Sequence, residues 1–223
     1  MSGQHVQPAA DLVATGISFA RGGRVILDDV SIRARPGQVT GLVGPSGSGK
    51  SSLLAILAGL EQPDAGTLDR PGTDADIGLV LQAYGLASLL TAAENVEIPL
   101  QTARAGALPT SEVRARAAAA LALVDLTAVA DHLTEELSGG QQQRVAIARA
   151  LVTRPRILFA DEFTSELDHV SREHAVDLVF GLAQSGSTVV IATHDPAIVA
   201  RCDHVVHLDS GRVREHQPDA SAG

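Results

Sequence analysis

The chain has 223 residues, 45% of them hydrophobic, which is enough for one large core or two small ones. A formal net charge of -9 and only five Phe and Tyr residues argue against a nucleic-acid partner, which would need a basic surface or stacking aromatics. One cysteine, Cys202, leaves no internal disulfide and suits the cytoplasm. The first eleven residues have neither the basic start nor the apolar segment of a secretory signal. The longest uncharged stretch, 77–93, is too short and too polar to span a membrane.

In chain order, residues 13–20 and 30–34 read as short strands around the turn Arg21-Gly22-Gly23. Residues 38–43 (QVTGLV) read as a buried strand and 50–60 as a helix. Between them lies Gly44-Pro45-Ser46-Gly47-Ser48-Gly49-Lys50-Ser51, which fits the phosphate-loop pattern G-x-x-x-x-G-K-[ST] in its required context. Small residues let the backbone N–H groups curl around a triphosphate, and the helix start adds its unpaired amides and positive dipole end. Lys50 is then the point charge for the β and γ phosphates, and Ser51 the hydroxyl for a magnesium ion.

Residues 63–66 read as a turn, and 77–82 (IGLVLQ) as an apolar strand ending in the amide Gln82. From 94 to 131 the pattern becomes helical, with 111–124 free of Gly and Pro; this is a helical insertion. Ser138 followed three residues later by Gln141 is a capping box that opens a helix over 137–152, with Gly139 and Gly140 in its first turn. Two readings stand for that helix start: a second anion site, or a well-capped surface helix.

Residues 157–161 (ILFAD) form a buried strand ending at Asp161 and Glu162. Alternation along a strand turns the two carboxylates to different tasks, one anchoring magnesium and the other orienting or deprotonating a water. Residues 188–192 form another buried strand, which delivers His194 to the carboxyl edge of the sheet, where ligands bind in such folds. A closing hairpin over 205–208 and 212–214 precedes a loose tail from 215. The pattern predicts an α/β fold: a phosphate-loop core with a mainly parallel sheet, a small antiparallel β part and a helical subdomain.

These motifs in this order, GPSGSGKS at 44, Gln82, LSGGQQQR at 137, ILFADE at 157, SELD at 165 and THD at 193, resemble the nucleotide-binding subunit of ATP-binding-cassette transporters. The resemblance covers 12–214 and implies one ATPase domain, with core segments 1–82 and 154–214 and a helical subdomain at 83–153. It implies two such subunits facing head to tail with ATP and Mg2+ between them. ATP would lie on Gly44, Pro45, Ser46, Gly47, Ser48, Gly49, Lys50, Ser51 and Ser52. Ser138, Gly139, Gly140 and Gln141 would bind the γ phosphate held by the opposite subunit. Ser51, Gln82 and Asp161 would serve the metal, Glu162 would be the general base, His194 would contact the γ phosphate, and Asp168 would bridge the subunits. Gln82 would also link the site to an integral membrane permease, which places the subunit on the cytoplasmic face of the membrane.

Three departures from the family pattern stand out. Arg21 occupies the place of the aromatic residue that stacks on adenine, and its guanidinium can stack instead. Phe163 and Glu166 replace a proline and a small residue beside the catalytic pair. Only 31 residues separate Lys50 from Gln82, which implies a trimmed antiparallel part. ENVEIPL at 94–100 and LSGGQQQRVAIARAL look like the lipoprotein-releasing and macrolide-export type, whereas the short segment before Gln82 looks like some small-solute importers. A soluble family member acting in repair or translation would carry a long coiled-coil insertion or tandem cassettes. A non-hydrolysing regulator would be expected to lack the Asp161–Glu162 pair and His194.

Overall fold

The computed structural model describes residues 10–102 and 108–214; the leader reading of 1–9 and the tail reading of 215–223 lie outside the described residues. Two sheets organise the chain. The first is antiparallel, in the order β2-β1-β4, from β1 (Leu12–Arg21), β2 (Arg24–Ala34) and β4 (Ala65–Asp69). The second has six strands in the order β5-β6-β7-β3-β8-β9: β3 (Val39–Val43), β5 (Ile77–Val80), β6 (Ile157–Asp161), β7 (Thr188–Ala192), β8 (His204–Asp209) and β9 (Arg212–Arg214). All its pairings are parallel except that of β9 with β8.

Period-two alternation divides the core between the faces of this sheet. Ile157, Phe159, Val190 and Ala192 point to one face and join Leu53, Ile56 and Leu57 of α1 (Lys50–Leu57) with Leu12, Ile17 and Leu27 of the antiparallel sheet. Leu158, Ala160, Val189 and Ile191 point to the other, against α4 (Gly139–Leu151) and α5 (His169–Gln184). The same cluster runs on into α2 (Ala92–Thr102) and α3 (Thr110–Leu123), so the helical insertion shares the core of the sheet. The short α6 (Pro196–Val199) follows β7. No helix among the described residues is long and apolar enough to cross a membrane.

Local chemistry explains where the elements depart from the sequence reading. The first hairpin is longer than expected, because Gly22 and Gly23 both take positive φ (59° and 79°) and close a two-residue turn that pairs Arg21 with Arg24. Helix α1 stops at Leu57 rather than at 60, since Gly59 turns left-handed (φ 78°) just past its end. The stretch read as a turn at 63–66 already enters β4, where Asp64 N donates to Ser18 O and Ala65 pairs with Ser18. Between α1 and β5 the chain forms only β4 and one 3-10 turn, Asp74–Asp76. Helix α5, unassigned in the sequence reading, is started by Asp168, whose carboxylate accepts from Val170 N and Ser171 N, both at 3.0 Å.

Candidate functional site

Strands β5, β6, β7 and β3 are neighbours, and their carboxyl ends deliver four loops to one place. Gln82 follows β5, Glu162 follows Asp161 at the end of β6, His194 follows β7, and the phosphate loop follows β3. These loops line a cavity of about 680 Å3 with Gly44, Pro45, Ser46, Gly47, Gly49, Lys50, Ser51, Ser52, Gln82, Asp161, Glu162 and His194 on its walls. Ser48 is buried below, where its hydroxyl has no partner among the described residues.

The glycines of the loop are dictated by their surroundings. A Cβ on Gly44 would lie 1.9 Å from Leu208 O, and one on Gly49 would lie 2.7 Å from Leu27 Cδ2. Gly49 also holds φ at 103° as the N-cap of α1 and makes no side-chain cap, so the first amides of that helix keep no side-chain acceptor. Lys50 Nζ donates to Gly44 O at 2.8 Å and Pro45 O at 3.0 Å, which holds the ammonium across the loop.

Asp161 is buried, and its pKa is raised: desolvation dominates and the Glu162 charge adds to it, against the opposing pull of the Ser51 hydroxyl and the Lys50 charge. A carboxylate beside a hydroxyl, with the Gln82 amide on the same cavity, is a fitting donor set for a hard divalent cation. Among the described residues no group of three His, Cys, Asp or Glu could hold a metal alone, so such an ion would rely on phosphate oxygens to complete its shell.

Glu162 is held in an uncommon conformation. Its φ is 47°, its N–H donates to Ala192 O at 2.9 Å, and its carbonyl accepts from Ser165 N at 3.2 Å. His194 Nδ1 lies 2.9 Å from Glu162 Oε1, while Oε2 has no partner among the described residues. The carboxylate therefore has one oxygen anchored and one available to a proton. Phe163, in the family's proline position, is 1% exposed and anchors the turn in the core.

The second helix start is built as a capping box. Ser138 Oγ accepts from Gln141 N at 3.3 Å, and Gln141 Oε1 accepts from Ser138 N at 2.9 Å. Gly140 leaves no room for a side chain, since a Cβ there would lie 2.9 Å from Glu166 O, whereas one on Gly139 would make ordinary contact with Glu166 Oε2 at 3.4 Å. The Tyr84 hydroxyl is close by, its pKa raised by burial and then by the Glu166 charge. Ser138 to Gln141 thus stand apart from the phosphate-loop cavity of their own chain, and so does Asp168, which caps α5; its pKa is lowered chiefly by the Ser171 bond. Arg21 is also elsewhere. It forms an ion pair with Glu61 and stacks on Phe19, 5.7 Å from the ring centre, whereas Arg24 and Ile26 line the cavity.

Sequence reading missed the residues that hold the loop after Gln82. Asn95 is fully buried, and its amide donates to the carbonyls of Ala87, Leu90 and Thr91 while its Oδ1 accepts from Ala87 N. Arg149, its pKa lowered by burial, donates to Tyr84 O and Gly85 O. The only local signal was their polarity on otherwise apolar helix faces.

Known proteins agree with this architecture. The family model described as ABC transporter matches residues 27–165. A methionine import ATP-binding protein of Caulobacter vibrioides is 42% identical over 213 residues, covering 89% of this chain and 63% of its own length. A lipoprotein-releasing system ATP-binding protein of Bordetella pertussis is 39% identical over 209 residues, covering 87% and 88%. The chain thus spans less than two thirds of the length of the first relative. The ATP-binding cassette MJ0796, solved as a dimer in a post-hydrolysis state with ADP and Pi, superposes with a TM-score of 0.87 at 35% identity, covering 92% of this chain and 97% of that one.

Proposed function

Because the chain belongs to the ABC transporter family, we propose that it binds and hydrolyses ATP as the motor subunit of a membrane transporter. The observation that carries this reading is the convergence of the phosphate loop, Asp161, Glu162, Gln82 and His194 on one cavity. Lys50 and the α1 amides would bind the β and γ phosphates. Ser51 and Asp161, with Gln82, would hold Mg2+, whose contribution is to offset phosphate charge. Glu162 would accept the proton of the attacking water at Oε2, with His194 holding the other oxygen. The products would be ADP and inorganic phosphate.

A cavity made by one chain alone leaves the Ser138–Gln141 helix start without a role in its own site. Two copies facing head to tail would bring each such start to the other's γ phosphate, with Asp168 near the seam. The dimeric solved relative supports the pairing of two copies. An integral membrane permease would be the second partner, and the subunit would then sit peripherally on the cytoplasmic face. ENVEIPL and LSGGQQQRVAIARAL favour extrusion of an envelope substrate, as the lipoprotein-releasing relative's name suggests for that protein. The methionine import relative supports a second reading, uptake of a small solute.

The test uses tagged Glu162→Gln protein loaded with ATP and magnesium to capture partners from detergent-solubilised membranes of the source cell. An integral membrane protein in the eluate is the expected result, and its extracytoplasmic domain distinguishes extrusion from uptake. Soluble partners alone would overturn the transport reading.

A further inference from the structure

Helix α4 does more than present Ser138. About one turn into it, Gln143 turns inward and is 1% exposed. Its Nε2 donates to the carbonyl of Glu162 at 3.1 Å and reaches Ser165 Oγ at 3.5 Å, and its Oε1 accepts from Glu166 N at 2.9 Å. A single buried amide therefore satisfies both ends of the turn that carries the carboxylate. That turn needs holding, since Glu162 is a non-glycine residue at φ 47°. The Ala192 carbonyl fixes its N–H side, and Gln143 fixes its C=O side.

We propose that Gln143 is a positioning residue for hydrolysis: it locks the Glu162 turn and ties that turn rigidly to the helix whose start, at Ser138, serves the opposite subunit. The amide spans 19 residues of sequence to Glu162 and 23 to Glu166, and it lies five positions after Ser138 on the same helix. A shift of α4 when Ser138 engages a phosphate is transmitted through this amide to the carbonyl of Glu162. The base of one site is thereby coupled to the occupancy of the other. Leaving these groups unpaired in a buried setting is costly, so the link either moves as a unit or breaks at a measurable price in rate.

The inference rests on Glu162 being the base. Gln143→Met keeps the volume and removes both hydrogen-bond functions. With the wild type as reference, kcat should fall about tenfold to a hundredfold, as for a misplaced catalytic group, while the ATP dissociation constant changes less than about twofold, because the phosphate loop is untouched. In a Glu162→Gln background the same change should cost less than about twofold in the residual rate, since nothing remains to position. Gln143→Asn, which withdraws the amide by one methylene, is the second variant should Met impair folding, and thermal unfolding is recorded for each. A folded variant turning over at the wild-type rate, or an equal loss in both backgrounds, would overturn the positioning role. Wild-type turnover by Glu162→Gln alone would instead remove the base assignment.

Discussion

Base recognition can be decided by two arginines. Arg21 stands where relatives place an aromatic platform, but its guanidinium is committed to Glu61 and to the Phe19 ring. Swinging it onto a base would gain about 0.5–1 kcal/mol at an exposed site. Releasing the exposed ion pair would cost a similar amount, about 0–1 kcal/mol, because the Arg21 side chain is 65% exposed. The two cancel, so Arg21→Ala should change ATP affinity less than about twofold. Arg24 lines the cavity beside the phosphate loop and has no carboxylate partner among the described residues. Its loss should weaken binding by about two- to fivefold, the equivalent of 0.5–1 kcal/mol. Among the described residues no aromatic side chain lines the cavity, so GTP should bind within about threefold of ATP. Displacement of a fluorescent ATP analogue, read for both variants and both nucleotides, tests this. A fivefold loss in Arg21→Ala with none in Arg24→Ala would refute the reasoning.

Four further outcomes are expected. Lys50→Ala should weaken ATP binding about ten- to a hundredfold, the worth of a charge-assisted contact, and calorimetry showing unchanged affinity would remove the phosphate-loop assignment. Glu166→Gln should strengthen ATP-driven dimerisation in sedimentation experiments, because a carboxylate against Gly139 competes with any incoming phosphate at that helix start; Ser138→Arg should abolish the association while sparing nucleotide binding by the monomer. Cys202 has its thiol pushed up to about 11 by burial and then by the Asp203 charge, so about one molecule in a thousand is thiolate at pH 8. Alkylation in the folded protein should be slow and rise steeply only on unfolding; rapid labelling under native conditions would contradict the burial.

What the sequence determined by itself were the features written in neighbouring residues. The phosphate loop is a run of eight, the Ser138–Gln141 capping box spans four, and β6 and β7 are mostly apolar five-residue runs whose limits match the sequence reading. Period-two burial and helix capping act over a few residues, so their marks are local. Helix α5 was legible in principle from Val176, Val179, Phe180 and Ala183, but its valines, phenylalanine and glycine lower its propensity, and its packing against β7 is what makes it a helix.

The rest depends on contacts between segments far apart in the chain. The order β5-β6-β7-β3, which brings Gln82, Glu162, His194 and Lys50 together, arises from pairings between strands far apart in sequence. Arg21 finds Glu61 across 40 residues and Gln143 finds Glu162 across 19, and nothing in either local stretch specifies those partners. The left-handed Glu162 is likewise invisible in ADEF. A non-glycine residue adopts that conformation because a carbonyl from β7 and an amide from α4 hold it there, and both come into reach only when the chain has folded.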